Sequence, residues 1–231
     1  MDSSRIESLL APFLSSPSFQ KATGADGSEV EAGGLLSPIQ LEHISTYIDL
    51  LRRWNSRMSL TAVREPEEIL TRHFGESLFA ARHLFPVVGG RRRTTNQVID
   101  VGSGAGFPGL PIKIWAPDVH LTLIESNQKK ATFLREVVRT LTLTNVDVFS
   151  DRAEDFPATA EVVILRAVER FEQILPIAAR LVAPAGRLAL LIGNSQVSQA
   201  ENLAPRFSWD FPIPTPRATN TVLLIGEVQA S

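Results

Sequence analysis

Residues 97–109 read Gln-Val-Ile-Asp-Val-Gly-Ser-Gly-Ala-Gly-Phe-Pro-Gly, and they are the most informative part of the chain about its fold. An apolar run that carries one acid, Asp100, gives way to four glycines within eight residues. The prolines at 108 and 111 suit the first turn of a helix, because a missing N–H costs little there. The stretch therefore predicts a strand, a tight loop and a helix N-terminus. Glycines let a nucleotide approach the backbone closely, and the N–H groups of the first helical turn would face it.

Downstream of this stretch the apolar pattern alternates between strands and helices. It predicts strands at 97–101, 120–125, 146–150, 161–166 and 187–192, and helices at 107–116, 127–142, 170–183 and 195–204. Such alternation is typical of parallel strands joined by right-handed crossovers. Two last apolar runs, 207–211 and 221–228, are too close for a helix between them and so form an antiparallel pair.

This strand pattern favours one α/β architecture over another. A seven-stranded, mostly parallel sheet with an antiparallel last strand is typical of class I S-adenosylmethionine (SAM) methyltransferases, which have a Rossmann-like fold. The ordinary dinucleotide-binding fold has six parallel strands.

Three regions are expected along the chain. Residues 1–37 predict a helix from Arg5 to Leu14 and a flexible linker rich in Ser, Gly and Ala. Residues 38–90 predict a helical cap made of two amphipathic helices, 38–54 and 66–84. Residues 91–231 hold the methyltransferase domain.

The amino-acid composition argues against several classes of protein and of site. The 231 residues contain no cysteine and four scattered histidines, so disulfides are excluded and no metal site is expected. No apolar run reaches the length of a membrane helix and no secretory leader is visible, which predicts a cytoplasmic protein without a membrane partner; we expect a monomer. The net charge of −2 argues against tight, charge-driven nucleic-acid binding and permits transient RNA contact.

The glycine loop is compatible with two nucleotide cofactors, NAD and SAM. Gly104-x-Gly106-x-x-Gly109 satisfies the dinucleotide fingerprint, and Glu125 follows about 20 residues later. A carboxylate at that position accepts hydrogen bonds from ribose hydroxyls, which NAD and SAM share, so Glu125 does not separate them.

Three features favour SAM over NAD. Asp100-x-Gly102-x-Gly104-x-Gly106 resembles motif I of the methyltransferases, in which the acid faces the methionine end. The third strand ends in the run 150–154, Ser-Asp-Arg-Ala-Glu, where class I methyltransferases contact adenine. The reversed terminal strand is the third feature.

The chain also resembles a specific family, the RsmG (glucose-inhibited division protein B) methyltransferases of bacteria, over roughly residues 40–228. Six blocks carry the resemblance in order: Trp54-Asn55 with Leu60 to Pro66, Arg72 to Ser77, Asp100 to Gly109, Glu125 to Leu134, Arg152 to Phe156, and Arg166-Ala167. The resemblance implies SAM-dependent methylation of a guanine N7 in 16S ribosomal RNA (rRNA), or in the small ribosomal subunit.

The motifs and the resemblance together give the candidate site residues. Those for the cofactor are Asp100, Gly102, Ser103, Gly104, Gly106, Phe107, Glu125, Ala153, Glu154 and Arg166. Those for RNA are Arg64, Arg72, His73, Lys129 and Lys130. Arg166 is also the candidate catalytic residue, because its planar fork suits the SAM carboxylate or an RNA phosphate. The structural alternative is a surface arginine paired with Glu169 or Glu154.

The chemistry of the implied reaction agrees with the residues available. Guanine N7 carries a lone pair, so no general base is needed and catalysis can proceed by positioning. Carbon methylation of pyrimidines would need a cysteine, and residues 165–168 lack the Pro-Pro loop that goes with amine methylation. Ile192 stands where the family usually has lysine. Two alternatives therefore stay open: a divergent SAM methyltransferase acting on another RNA or a small molecule, and a non-catalytic SAM-fold binding module.

Overall fold

The computed structural model describes residues 1–15, 36–88, 91–92, 97–166 and 170–229. The N-terminal part is helical: α1 (Ser3–Leu14), α2 (Pro38–Asn55), α3 (Pro66–Glu68), a π-helical segment (Ile69–Gly75) and α4 (Glu76–Leu84). A two-stranded antiparallel hairpin follows, β1 (Val87–Val88) with β2 (Arg91–Arg92). The predicted linker falls mostly on residues 16–35, which lie outside the described ranges.

Strands and helices alternate from residue 97 onward. The strands are β3 (Gln97–Val101), β4 (His120–Ile124), β5 (Val146–Phe149), β6 (Ala160–Arg166), β7 (Val182–Gly193), β8 (Phe207–Trp209), β9 (Ile213–Pro214) and β10 (Thr221–Val228). The helices are α5 (Gly109–Trp115), α6 (Gln128–Thr140), α7 (Phe171–Arg180) and α8 (Val197–Leu203), with 3₁₀ turns at Ala153–Asp155 and Asn194–Gln196.

The large sheet has the order β5-β4-β3-β6-β7-β10-β8, and β9 also pairs with β10. Strands β3 to β7 are parallel, whereas β10 is antiparallel to β7, β8 and β9. The predicted mostly parallel sheet with an antiparallel last strand is confirmed, but within the described residues the sheet has eight strands rather than the predicted seven. The carboxyl ends of β3, β4 and β6 lie at one edge, where an open α/β sheet binds its ligands.

Two details of the sheet differ from the sequence prediction. Strand β7 begins at Val182 rather than 187, because its pairing with β6 continues past an irregularity between Ala160 and Val162. Strand β9 was not predicted, since only two residues pair and one is Pro214, which lacks an N–H and is tolerated at a sheet edge.

The cap is bound to the sheet layer by a shared core. Helix α1 buries Ile6, Leu10 and Phe13 in the same hydrophobic cluster as Tyr47 and Phe74. Helix α2 begins with a capping box, in which Ser37 Oγ accepts from Gln40 N and Gln40 Oε1 accepts from Ser37 N. Among the described residues, none of the helices combines the length and hydropathy that a bilayer span requires.

Candidate functional site

The glycine loop after β3 turns tightly over the end of β4. Gly102, Gly104 and Gly106 have φ of 70°, 58° and 89°, which L side chains rarely adopt. The N–H groups of Gly102 and Ser103 both donate to the carbonyl of Ile124, at 2.9 and 3.0 Å. A Cβ at Gly106 would overlap the Tyr47 hydroxyl, so this turn also fits closely against the cap.

Asp100 supports the loop from beneath. Its carboxyl is fully buried, and Oδ2 accepts from Gly109 N at 3.0 Å, at the start of α5. Burial raises the pKa of Asp100 to about 7, against the weaker opposing effect of the Gly109 hydrogen bond. Asp100 therefore lies under the loop, and Gly106 faces Tyr47 of the cap; neither residue lines the cavity that opens above the loop.

A cavity of about 820 Å³ lies above the loop at the carboxyl edge of the sheet. Three walls come from the α/β part of the chain: the glycine loop, the end of β4 and the turn after β5. The cap contributes the fourth. The residues that line it are Leu60, Thr61, Ala62, Val63, Arg72, His73, Val101, Gly102, Ser103, Gly104, Ala105, Phe107, Ile124, Glu125, Ser126, Lys130, Asp151, Arg152, Ala153, Glu154, Arg166 and Ile174.

Glu125 joins the loop to the end of β4. Its Oε2 accepts from Gly104 N at 2.9 Å, and its Oε1 accepts from Asn127 N at 2.8 Å. The side chain is largely buried but reaches the cavity wall. A carboxylate has about four lone-pair positions, so two hydrogen bonds leave acceptor capacity for hydroxyl groups of a ligand.

Arg166 ends β6 and connects the sheet edge to the cap. Its Nη2 donates to Glu76 Oε2 at 2.8 Å and to the carbonyl of Arg72 at 2.9 Å. The two side chains of this ion pair are only 12% and 10% exposed. The expected alternative partner Glu154 is not the one the structure shows; Glu169 lies outside the described residues.

His73 extends this network along the cavity wall. Both Nη atoms of Arg166 lie 3.3 Å from His73 Nδ1, which must accept because a guanidinium only donates. His73 Nε2 therefore carries the proton and donates to Thr61 Oγ1 at 2.8 Å. Burial, helped by the charges of Arg166 and Arg72, lowers the pKa of His73 to about 3. The imidazole is neutral at physiological pH.

Three stacked rings place this histidine against the glycine loop. His73 stacks on Phe107 with centroids 4.8 Å apart, and Phe107 stacks on Tyr47 at 5.3 Å with the planes 2° apart. The Tyr47 hydroxyl donates to the carbonyl of Ala105 in the loop. The cap thus fixes both the loop backbone and the side chains that face the cavity.

Comparison with known proteins identifies the family. The profile of the family described as GidB, rRNA small subunit methyltransferase G, matches residues 40–212. The chain belongs to this family.

Individual relatives agree with the match. A ribosomal RNA small subunit methyltransferase G of Bacillus pumilus (strain SAFR-032) is 37% identical over 167 residues, which cover 70% of this chain and 67% of the relative. The protein of the same name from Xylella fastidiosa (strain 9a5c) is 36% identical over 188 residues, covering 80% and 84%.

Solved structures share the fold. The ribosomal protein L11 methylase from Lactobacillus delbrueckii subsp. bulgaricus superposes with a TM-score of 0.56 at 13% identity, covering 69% of this chain and 79% of that one. The P. horikoshii TYW2 structure, in complex with MeSAdo, gives a TM-score of 0.53 at 15% identity, covering 68% and 63%.

In this member of the rRNA small subunit methyltransferase G family, most candidate cofactor residues meet at one cavity. Eight of the ten line it: Gly102, Ser103, Gly104, Phe107, Glu125, Ala153, Glu154 and Arg166. Ala153 is buried and Glu154 is exposed, both on the 3₁₀ turn after β5. The pattern of glycines and strand ends grouped these eight candidates because each of them ends or follows a predicted strand.

The candidate RNA residues are divided between the cavity and the surface. Arg72 is exposed, lines the cavity and pairs with Glu68 at 3.0 Å. Lys130 also lines the cavity, whereas Arg64 and Lys129 are exposed outside its wall. His73 belongs to the inner wall, where its neutral ring adds no positive charge.

Sequence reasoning missed three residues of the site: Tyr47, Thr61 and Glu76. Glu76 lies 90 positions from Arg166, so no local spacing indicates that ion pair. The available signal was the block Arg72 to Ser77, which contains Glu76 and places it one helical turn beyond Arg72. Tyr47 fits the apolar face of α2 and gave no sign of its contact with the loop.

Proposed function

We propose that this protein transfers a methyl group from SAM to N7 of a guanine in 16S rRNA. The observation that carries the proposal is the 820 Å³ cavity, in which a glycine loop, a strand-end carboxylate and the cap network face one another. Membership of the rRNA small subunit methyltransferase G family supports the substrate. The positions of Asp100 and Gly106 favour an indirect part for these two residues in holding the cofactor.

The residues present fit SAM. A Cβ at Gly104 would meet only the Gly102 carbonyl, at 3.8 Å, so the backbone there borders open space that a ligand can enter. Glu125 retains acceptor capacity for the ribose hydroxyls, and Ala153 with Glu154 flanks the position proposed for adenine. When bound, SAM supplies a methyl group on a positively charged sulfur, which is the electrophile.

The chain's own residues contribute positioning rather than proton transfer. Guanine N7 attacks through its lone pair, so the enzyme needs no base. His73 fits this requirement, because its neutral ring has both nitrogens occupied by Arg166 and Thr61. Holding N7 in line with the methyl group and excluding water are then the main contributions.

In the proposed mechanism, Arg166 is a positioning residue at the cavity wall. The product guanine gains positive charge, which an isolated cation nearby would oppose. The Glu76 carboxylate at 2.8 Å neutralises much of the Arg166 charge. The ion pair therefore holds the cap against the edge of the sheet, beside the path of the methyl group. Because the pair is nearly neutral, it repels the positively charged product only weakly.

The RNA partner and the cell compartment follow from the same proposal. Arg72 and Lys130 line the cavity, and Arg64 and Lys129 are exposed outside it, so these four cations are proposed to contact the RNA backbone. A 16S rRNA substrate in turn implies a cytoplasmic protein. We also propose that the protein is a monomer.

A deletion strain tests the proposal. Nucleosides from its 16S rRNA are analysed by mass spectrometry, beside wild type and a strain complemented with this gene. We expect 7-methylguanosine to fall in the deletion strain and to return on complementation. An unchanged level would contradict the proposal; methylation elsewhere favours the divergent methyltransferase, and failure of the pure protein to bind SAM favours the non-catalytic module.

A further inference from the structure

A second cleft adjoins the cofactor cavity on the side of the cap. It has a volume of about 300 Å³ and lies between α1, the π-helical segment and the loop from β9 to β10. The residues that matter for its chemistry are Phe13, Arg72, Glu76, Arg217, Thr219 and Asn220. Arg72 lines both spaces, and Glu76 contacts Arg166 of the cavity at 2.8 Å. The cleft therefore begins one side chain away from the proposed site of methyl transfer.

The loop that closes this cleft lies at the ligand-binding edge of the sheet. Thr221 pairs with Gly193 at the end of β7, and Arg166 pairs with Leu191 two residues earlier on the same strand. The loop is held by hydrogen bonds from Thr215 N to the Thr221 carbonyl at 3.0 Å and from Ala218 N to the Thr215 carbonyl at 3.3 Å. These hydrogen bonds give the loop a defined conformation, so it forms an ordered wall beside the cavity.

Arg217 has an unusual conformation in that wall. Its φ is 60°, in the left-handed region that residues other than glycine rarely adopt. Such strain costs free energy and is often retained where a side chain has a function. Arg217, Thr219 and Asn220 are all exposed, so their N–H and O–H donors are accessible. Among the described residues that line the cleft, the one acid is Glu76, which is already paired with Arg166.

We infer that this cleft binds the sugar-phosphate backbone of the substrate RNA next to the methylated guanine, with Arg217 and Arg72 as the phosphate contacts. The inference rests on the proposed function. Exposed arginine, threonine and asparagine donors are the groups that proteins use for phosphate and sugar contacts.

Direct binding of RNA tests the cleft separately from catalysis. Small ribosomal subunits from a strain that lacks the methyltransferase are titrated with wild type, Arg217→Ala, Arg217→Lys and Arg180→Ala at several salt concentrations. Arg180 is the matched control, because it is exposed at the end of α7, which leads into β7 at the opposite edge of the sheet. Thermal unfolding checks that each variant is folded.

We expect Arg217→Ala to weaken binding about fivefold and to lower the salt dependence by about one counterion. Arg217→Lys should retain most of the affinity and Arg180→Ala all of it. An equal loss of affinity for Arg217→Ala and Arg180→Ala, or no loss of affinity for either variant, would overturn the proposal that the cleft binds RNA. Failure of the proposed function would look different, since wild type would then leave the subunits unmethylated whatever Arg217 does to binding.

Discussion

At the scale of single residues, the pair formed by Arg166 and Glu76 has the largest consequences. Arg166 reaches from the sheet edge to three groups of the cap: the Glu76 carboxylate, the Arg72 carbonyl and the His73 ring. Because both charges are nearly buried, removing one partner leaves the other without compensation. Stability and cavity geometry should therefore change together.

We expect Arg166→Ala to lower kcat about 100-fold, since misplacement of reacting groups by about 1 Å has an effect of that size. The unfolding free energy should also fall, by about 3–5 kcal/mol, because Glu76 stays buried without its partner. Steady-state kinetics and urea unfolding measure the two effects. Arg166→Lys is the control: it keeps the charge opposite Glu76 but loses the fork, so stability should recover more than kcat. Normal kcat in Arg166→Ala would refute the positioning role.

The buried carboxyl of Asp100 predicts a pH dependence of stability. Its pKa is about 7 in the folded protein and 3.8 as the reference for the unfolded chain, so the folded state binds the proton more tightly. The stability that this group contributes is complete below about pH 4 and is lost as the pH rises to about 7. We expect the unfolding free energy of wild type, relative to Asp100→Asn, to fall by about 3 kcal/mol from pH 5 to pH 8. Parallel pH profiles for the two proteins would show that Asp100 is not the titrating group.

At the scale of secondary-structure elements, α1 supports the π-helical segment. This segment carries Arg72 and His73, and such segments are rare and often lie at functional sites. A Cβ at Gly75 would lie 2.6 Å from the ring of Phe13, so only glycine allows α1 to pack here. The contact transmits the position of α1 to the cavity wall.

We expect Gly75→Ala to destabilise the protein by about 1–3 kcal/mol through overpacking, although alanine is the better helix former. Phe13→Leu should recover part of that loss in the double variant, which a double-mutant cycle of unfolding free energies measures. Gly193→Ala is the control, since its Cβ would meet no atom closer than 3.5 Å. Equal effects at Gly75 and Gly193, or no coupling to Phe13, would contradict the packing.

The elements differ in how well the sequence predicts them. Strands β3, β4 and β6 and helix α6 were predictable because each is a continuous apolar or amphipathic run bounded by turn residues. The π-helical segment was predicted as ordinary helix, because the buried positions Ile69, Leu70, Phe74 and Leu78 are also close to α-helical spacing. The hairpin of β1 and β2 was missed because two-residue strands carry no periodicity.

At the scale of the whole molecule, the residues proposed for the cofactor and the cap residues that face them differ in how far apart they lie in the sequence. The residues proposed to bind the cofactor stand in local motifs at strand ends, so the sequence alone places them near one another. The cap half depends on contacts between residues far apart in sequence, such as Arg166 with Glu76 and Tyr47 with the glycine loop. Long-range pairs of this kind leave no spacing to detect in a single chain.

The fold and the cavity place the proposed RNA contacts within a nearly neutral molecule. With a net charge of −2, general attraction to RNA is weak, so the proposed RNA binding would depend on a few cations near the cavity such as Arg72, Lys130 and Arg217. Affinity for the small subunit should therefore be modest and selective rather than broad.

Methyl transfer in a purified system tests the central claim most directly. The protein is incubated with methyl-labelled SAM and undermethylated small ribosomal subunits, and the modified nucleotide is mapped. We predict one methyl group at N7 of a single guanine in 16S rRNA, and loss of that label in Glu125→Ala, which removes the proposed ribose contact. Label at another atom, in another molecule, or unchanged in Glu125→Ala would contradict it.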